Sequence, residues 1–362
     1  EFALAEIEPH AKRLDDEQVF PHEHIPKLNE LGLLGMVVPK EYGGSFTDTL
    51  TYAIAVEEIS RVCGATGIIL AAHNSLCTYP IYVFGSEKQK HKYLPPVCNG
   101  GELGSFGLTE PNAGSDAAGT QSMAVKDGNT WTLNGTKCFI TNATVGTTFV
   151  MTAVTEKGKG AKGITAFILR RGAPGFTVGK KENKMGLRGS DTAFLHFDDV
   201  KIPDEDRLGN EGDGFKEFMI TLDGGRISIG SLGLGLGQGA LDCVLDYLKN
   251  ENPSSAERQY IQFKLADMDI ELEAARNFVY EAAIAKDTGR KFTRLSATAK
   301  LYASEAGRHA AYWAMQILGD AGYTDRYPVE RIYRDVKLCE IGEGTSEVQR
   351  MVISRELLRG SS

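Results

Sequence analysis

The residue whose setting most directly suggests chemistry is Glu343, which stands between two glycines. The glycines allow the backbone to approach a bound molecule closely, and residues 345–347 (TSE) supply hydrogen-bonding groups just beyond it. A carboxylate in such a loop can be presented to a substrate as a proton acceptor. Taken alone, the same pattern also describes a solvated acid in a glycine-rich loop, because acidic residues are mostly exposed.

A second segment, residues 107–119 (GLTEPNAGSDAAG), offers hydroxyls, small side chains and backbone amides without a basic side chain. Main-chain donors of this kind suit a loop that wraps the ring edge and the phosphates of a cofactor. A polar surface turn is the alternative interpretation of this segment alone.

Together the two segments closely resemble the acyl-CoA dehydrogenase family of flavoproteins. Residues 107–119 match a family signature throughout, and the family's catalytic base stands in a Glu-Gly-Thr context like that of Glu343. Further matches follow in order over nearly the whole chain: residues 134–142 (NGTKCFITN), 185–190 (MGLRGS), 223–226 (DGGR) and 316–319 (QILG).

Composition narrows the possible function classes. A chain of 362 residues with 42% hydrophobic content has room for two or three domains with a sizeable core. The net charge of -8 and the lack of a basic block argue against nucleic-acid binding, so an anionic CoA substrate must be met by local contacts. No apolar run reaches the ~20 residues that span a bilayer, so we expect no stable membrane insertion. The first residue is not Met, so a targeting peptide could have been lost, and we expect a cytoplasmic or mitochondrial-matrix protein.

Cysteine and histidine spacing gives no metal-binding motif. The six cysteines lie far apart without a Cys-x-x-Cys pair, which indicates reduced and mostly buried thiols. His22 and His24 could chelate a metal, but the flanking Pro21 and Pro26 indicate an exposed turn. We therefore predict no metal site.

The order of secondary structure predicts a multi-domain α+β protein. Helical spacing marks residues 2–14, 25–34 and 49–62, alternating β-rich runs follow, and long helical periods return at 261–287, 295–318 and 346–358. We predict an N-terminal helical domain (1–102), a middle antiparallel β domain (103–215) and a C-terminal four-helix-bundle domain (216–362). This order lacks the βαβα alternation of a doubly wound fold.

One short motif resembles a dinucleotide-binding sequence but lacks the structural context that such a site requires. Residues 235–240 (GLGQGA) fit the Gly-x-Gly-x-x-Gly/Ala dinucleotide fingerprint, but no strand precedes them. In helical surroundings, these glycines are predicted to permit close helix packing.

The resemblance implies a defined reaction. Removing the α and β hydrogens of an acyl thioester requires a base, a hydride acceptor and donors for the thioester oxygen. Glu343 is the predicted base, with a pKa raised by the exclusion of water. The family supplies FAD as the acceptor, and a backbone amide near Glu343 for the thioester oxygen. Some relatives that act on branched or long chains carry the base just before the arginine matching Arg226, where this chain has Gly225. This difference favours the short- and medium-chain branch.

The resemblance also implies contact residues, several of them from a neighbouring subunit in a homo-oligomer. Positions that match FAD contacts are Phe106, Leu108, Thr109, Ser115, Phe139, Ile140, Thr141, Gln259, Gln316, Gly319, Thr345, Ser346 and Glu347. Positions that match acyl-CoA contacts are Ser115, Asp223, Gly224, Gly225, Arg226 and Gly344. Phe139 could instead be a core aromatic residue, and Arg226 a structural ion-pair partner.

Three positions depart from the family pattern. An Arg-x-x-Phe-Gly element is missing from residues 248–258, Asp320 replaces a small residue, and Arg326 stands where an acid or amide is usual. Because all three fall at the FAD end shared between subunits, we expect weaker FAD binding and an assembly smaller than the family tetramer, unless Arg258 compensates. The implied electron acceptor is an electron transfer flavoprotein. An oxidase, a nitroalkane-oxidase-like enzyme and a non-catalytic relative are the alternatives.

Overall fold

The chain forms helices, then a sheet, then helices again, as the computed structural model shows for residues 1–360. Residues 361 and 362, the last two of the predicted C-terminal domain, lie outside the described residues. The first helices are α1 (Glu8–Asp16), α2 (His24–Glu30), α3 (Thr49–Val62), α4 (Gly64–Ala72), α5 (Tyr79–Phe84) and α6 (Glu87–Cys98). The π-helical turns Ala3–Ile7 and His73–Thr78 precede α1 and join α4 to α5.

The strands are β1 (Gly104–Gly107), β2 (Met123–Asp127), β3 (Thr130–Thr141), β4 (Thr148–Val154), β5 (Ile164–Arg170), β6 (Phe176–Val178), β7 (Thr192–Pro203) and β8 (Arg207–Leu208). Their order in one sheet is β6-β7-β3-β2-β4-β5-β8, with β1 against β4. Most pairs are antiparallel, as predicted, but β1 runs parallel to β4, and β2 meets β4 in parallel at one residue pair. The sheet is therefore mixed, because β1 enters it from the preceding helices and not through a hairpin.

The last helices are α7 (Gly214–Asn250), α8 (Pro253–Ala256), α9 (Gln259–Asp287), α10 (Thr293–Leu318), α11 (Val329–Asp335) and α12 (Ser346–Leu358). In the predicted bundle, α10 packs against α7, α9 and α12. The predicted helix at residues 25–34 is shorter in the structure. It ends at Glu30 because Gly32 adopts a left-handed backbone with φ 71°.

The central strands are covered on both faces. In β4, Phe149 and Met151 join an apolar cluster with Trp131, whereas the intervening Val150 joins a cluster with Phe218 of α7. Successive side chains of a strand point to opposite faces, so residues 148–153 of β4 can all be buried only when both faces of the sheet are covered. The sheet is thus fixed against the helices that hold the candidate base.

The glycines of the apparent dinucleotide fingerprint lie inside α7, which confirms the prediction that they serve helix packing. A Cβ on Gly235 or Gly239 would lie 2.3 Å from the carbonyl oxygen of Glu57 or 2.1 Å from that of Arg61, both on α3. A Cβ on Gly237 would lie 2.8 Å from Cα of Gly307 on α10. Glycines four residues apart share a helix face, so alternate glycines let α7 approach a different neighbour on each side.

Helix α7 is long and apolar, and from its composition alone it could be either a membrane-spanning helix or a core helix. By length and mean hydropathy this helix could span a membrane, although charged residues interrupt it and no apolar run in it reaches ~20 residues. However, 78% of its most apolar window is buried inside the protein. The helix therefore has the burial of a core helix.

Candidate functional site

Glu343 occupies a strained turn between a 3₁₀ segment, Val336–Glu340, and α12. Its φ is 53° and that of Gly344 is 90°, so two consecutive residues are left-handed. The turn ends at Thr345, whose side chain accepts a hydrogen bond from the backbone N–H of Val348 and caps α12. A non-glycine residue in this region costs on the order of 1–3 kcal/mol and persists only where its surroundings hold it.

Two buried side chains hold the turn by the carbonyl oxygen of Gly344. Lys300 on α10 donates from Nζ at 2.6 Å, and Gln349 on α12 donates from Nε2 at 2.9 Å. Both residues are fully buried. They were not identified from the sequence, because residues 43 or 6 positions away from Glu343 carry no motif that links them to it.

The Glu343 carboxylate lies directly against the backbone of Gly225 on α7. A Cβ at Gly225 would be 2.1 Å from Glu343 Oε2 and 3.2 Å from Leu76 Cδ2. A side chain at position 225 would therefore occupy the place of the carboxylate. This contact supplies a physical reason why a chain with its base at position 343 carries glycine before Arg226.

Glu343 is half-buried, and one oxygen of its carboxyl is enclosed by the protein. Its Oε2 atom is buried and forms no hydrogen bond with any residue in the described range 1–360. Burial raises the pKa of Glu343 to about 7, although the positive charges of Lys300 and Arg226 oppose this effect. Burial likewise lowers the pKa of Lys300 to about 8. A carboxyl with such a pKa can accept a proton near neutral pH.

The neighbouring substrate candidates form a buried ion pair. Arg226 is 6% exposed and pairs with Asp223, one turn earlier on α7, and Asp223 accepts a hydrogen bond of 2.7 Å from Thr293 Oγ1. The structural ion-pair interpretation of Arg226 therefore holds within the chain, and its contact with substrate stays a prediction. At Gly224, a Cβ would lie 3.3 Å from Nζ of Lys286.

The predicted cofactor loop runs beside β3, because the backbone N–H of Cys138 donates to the carbonyl oxygen of Thr109 at 2.8 Å. The adjacent Phe139 is 65% exposed and left-handed (φ 57°), at a register shift in the pairing of β3 with β7. The alternative that Phe139 is a core aromatic residue is therefore wrong. Extra length at the bulge turns this ring outward.

A buried ion pair that the sequence reasoning missed anchors this loop. Lys137 of β3 is fully buried and donates to Glu110 at 2.7 Å, and Glu110 also accepts from the backbone N–H groups of Gln121 and Ser122. Burial alone would raise the pKa of Glu110, but Lys137 lowers it to about 2. Both residues lie within the motifs recognised from the sequence, but nothing in those motifs marks the two as a pair.

The groups around this loop suit an uncharged ring. Thr109 and Thr141 are half-buried beside the buried Ile140, while Ser115 is exposed at the tip of the loop. A Cβ on Gly114 would meet no other described atom within 4 Å, so the protein itself does not require glycine there. Phe106 and Leu108 are half-buried against the cluster that contains Phe218. Hydroxyls, an exposed aromatic ring and main-chain groups fit the ring system of a flavin.

The remaining cofactor candidates fall into two separated groups. Thr345, Ser346 and Glu347 begin α12 beside Lys300, whereas Gln316 and Gly319 lie at the far end of α10. At a rise of 1.5 Å per residue, positions 300 and 316 are about 24 Å apart along this helix. Gln259 starts α9 at the same far end, where the rings of Tyr260 and Trp313 lie 6.3 Å apart. One chain thus brings together only part of the predicted FAD contacts.

Two of the three departures from the family pattern contact each other. Arg326 forms a salt bridge with Glu251 in the altered loop, which contains the short helix α8. Arg258 and Asp320 are both exposed.

Comparison with known proteins identifies relatives over the whole length. Family models described as acyl-CoA dehydrogenase N-terminal, middle and C-terminal domains match residues 1–101, 105–200 and 212–358. The short-chain specific acyl-CoA dehydrogenase, mitochondrial, of Mus musculus is 48% identical, over 99% of this chain and 88% of its own length.

Two solved structures are similarly close. Butyryl-CoA dehydrogenase from Megasphaera elsdenii has a TM-score of 0.96 and 46% identity, over 99% of this chain and 95% of its own. A chain in a structure described as the electron transferring flavoprotein of Acidaminococcus fermentans has a TM-score of 0.97, with the same identity and coverage.

The Lys300 contact predicts how the proton affinity of Glu343 is set. Changing Lys300→Met removes a positive charge near the carboxylate, so the pKa of Glu343 should rise above about 7. Infrared difference titration can follow the carboxyl band, which Glu343→Gln identifies by its loss. Lys300→Arg keeps the positive charge, so the pKa of Glu343 in this variant should stay closer to that in the parent. An unchanged titration midpoint in Lys300→Met would show that Lys300 does not act on the base.

Proposed function

The chain belongs to the acyl-CoA dehydrogenase family of flavin-dependent oxidoreductases, and we propose that it converts a short-chain acyl-CoA to the trans-2-enoyl-CoA with FAD as cofactor. The observation that carries this proposal is the Glu343 carboxyl against Gly225, with one enclosed oxygen that has no hydrogen-bond partner among the described residues and with a pKa raised to about 7. A base of this kind is what removal of an α proton from a thioester requires.

Glu343 accepts the α proton on its carboxylate, whose Oε2 atom rests against Gly225. The C–H electron pair stays with the substrate, and the proton ends on the carboxyl. Bound FAD supplies the acceptor for the β hydride. Negative charge develops on the thioester oxygen as the proton leaves. The backbone N–H groups of Glu343 and Gly344, at the base itself, are the proposed hydrogen-bond donors to this oxygen.

The same residues orient the base and limit access of water to it. Lys300 and Gln349 fix the carbonyl oxygen of Gly344, so the left-handed turn has little freedom to move. Gly225 and Leu76 cover the carboxylate on one side. Keeping water away maintains the raised pKa and strengthens electrostatic interactions with the developing charge.

The position of the base and the names of relatives support a short acyl chain as the proposed substrate. The chain has its base at position 343 and glycine at position 225, and one of its relatives is named as specific for short chains. We expect a turnover series from C4 to C16 acyl-CoA to peak at the short end and to fall with length. A maximum at C12 or longer would contradict the short-chain assignment.

An electron transfer flavoprotein is the proposed electron acceptor, in line with the family resemblance and with the description of the Acidaminococcus fermentans structure. An oxidase or a nitroalkane-oxidase-like enzyme would instead pass electrons to oxygen or act without CoA. Oxygen consumption with acyl-CoA separates these alternatives. The absence of a flavin spectrum in the purified protein would favour the non-catalytic alternative.

A test of the base is Glu343→Gln, which keeps the shape but cannot accept the proton. Reduction of the flavin by acyl-CoA should fall by about 10²- to 10⁴-fold, while FAD content stays nearly the same. In the parent, the rate should rise as the pH increases through about 7, because only the ionised carboxylate accepts the proton. Stopped-flow absorbance measures both effects. Glu281→Gln, an exposed acid on α9, is the control, and near-normal reduction in Glu343→Gln would disprove the assignment.

A second test concerns the shared part of the FAD site. Since Gln316 lies about 24 Å along α10 from Lys300, which holds the turn at Glu343, we propose that a second copy of the chain completes each FAD site. The altered loop and Asp320 should make FAD binding and assembly weaker than in relatives with the Arg-x-x-Phe-Gly element. Grafting that element together with Asp320→Gly should strengthen FAD binding by roughly 2 to 4 kcal/mol.

Titration of the apoprotein with FAD, together with light scattering for mass, measures this effect. Asp320→Gly alone separates the contribution of the carboxylate from that of the loop. Equal FAD affinity in the parent and the grafted protein, or a stable FAD-saturated tetramer in the parent, would contradict the proposal.

A further inference from the structure

Two histidines and a glutamate converge where α1 meets the start of α2, on the N-terminal helices. His10 Nδ1 lies 3.1 Å from His24 Nε2 and 3.9 Å from a carboxylate oxygen of Glu23. The three possible ligand atoms all lie within 4.8 Å of one another. We propose that His10, Glu23 and His24 form a binding site for a divalent transition-metal ion such as Zn²⁺.

From the sequence we expected no metal here, because His22 and His24 were predicted to lie in an exposed turn. For His24 this prediction is wrong. His24 is 0% exposed and does not lie in an exposed turn, because α2 begins with this residue and packs its first turn inward. His22, by contrast, is exposed and takes no part in the cluster. The partner of His24 is His10, which lies 14 positions earlier on another helix, so the pair has no local sequence motif.

His24 is arranged as a ligand by its contact on the far side of the ring. Its Nδ1 lies 3.0 Å from Thr66 Oγ1, and the Thr66 hydroxyl donates to Cys63 Sγ at 3.4 Å. Thr66 must then accept from His24 Nδ1–H, so Nε2 of His24 carries a lone pair, which here accepts the proton of His10 Nδ1. Metal-binding histidines commonly have such a donor contact on the other ring nitrogen.

The spacing agrees with one metal ion between the two rings. Two nitrogens that each lie about 2.0–2.1 Å from a tetrahedral zinc are roughly 3.3 Å apart, and the observed separation is 3.1 Å. Binding requires the other tautomer of His10: the proton leaves its Nδ1 and one is taken up from solvent at its Nε2, so the imidazole stays neutral. The carboxylate of Glu23 gives a third ligand, and water would fill the fourth position because His10 and Glu23 are both partly exposed.

A metal ion at this cluster would have to compete with neighbouring charged side chains for the carboxylate of Glu23. Arg13 forms a salt bridge with Glu23, and Lys27 forms one with Glu6 nearby. Glu23 must therefore turn partly away from Arg13 to reach the ion. A moderate affinity is expected, since Glu23 has to exchange a partner and the two imidazoles have to turn their nitrogen lone pairs from each other to the ion.

A bound ion would join α1 to α2 and, through His24 and Thr66, to α4. The site lies apart from Glu343 in the chain, and no residue of the proposed reaction centre belongs to the cluster. The expected consequence is stabilisation of the N-terminal helices, because an ion that binds only the folded state raises its stability.

The experiment uses tag-free, FAD-loaded protein that has been treated with a chelator and then titrated with Zn²⁺ by calorimetry. We expect saturable binding of one ion per chain at micromolar Zn²⁺, with a higher melting temperature. His10→Ala should weaken binding by at least about tenfold and abolish the thermal shift. His22→Ala is the matched control and should bind like the parent.

Titration with Co²⁺ distinguishes the ligands. Absorption bands of nitrogen and oxygen ligation without a cobalt–thiolate charge-transfer band would support the site, whereas a thiolate band would assign the metal to a cysteine. Unsaturable binding in the parent, equal affinity in His10→Ala, or equal loss in His22→Ala would overturn the proposal. In each of these cases, the two histidines are simply a hydrogen-bonded pair.

Discussion

The contact between the Glu343 carboxylate and the bare backbone of Gly225 is the constraint around which the helices are arranged. Helix α7 must be buried deeply enough to present Gly225, and its glycines allow it to approach α3 and α10 closely. Helix α10 must then bring Lys300 to the carbonyl oxygen of Gly344. The left-handed turn at Glu343 is unfavourable by itself, and buried hydrogen bonds from two helices offset that strain.

The two nearby cations influence Glu343 without neutralising it. Lys300 directs its ammonium to the Gly344 carbonyl, and Arg226 directs its guanidinium to Asp223. Their charges act on Glu343 through space, while burial still dominates and places the pKa near 7. A direct salt bridge to Glu343 would stabilise the carboxylate and lower its proton affinity. Because the cations are engaged elsewhere, the carboxyl remains free for the proposed proton transfer.

The residues of the proposed cofactor site lie in two places, one on a loop beside the sheet and the other at the far end of α10. The loop near Thr109 is fixed to the sheet by the buried Lys137–Glu110 pair, and removing either partner would leave an uncompensated buried charge. The positions at the far end of α10 are distant from the reaction centre because a helix of 26 residues is rigid and extended. The length of α10 is therefore the physical reason why a second chain is proposed to complete the site.

The sequence by itself determined the order of helices and strands, the family, and the identity of the candidate base, because each depends on local periodicity or on contiguous motifs. It also predicted that the glycines at 235–240 serve helix packing, since no strand precedes them. Tertiary structure decided what depends on contacts between distant segments. They include the hydrogen bond from Lys300 to the carbonyl oxygen of Gly344 and the buried ion pair between Glu110 and Lys137. They also include the outward orientation of Phe139 at a bulge and the hydrogen bond between His10 and His24. Such contacts join residues on different elements, and no spacing along a single chain specifies which surfaces of those elements will face each other.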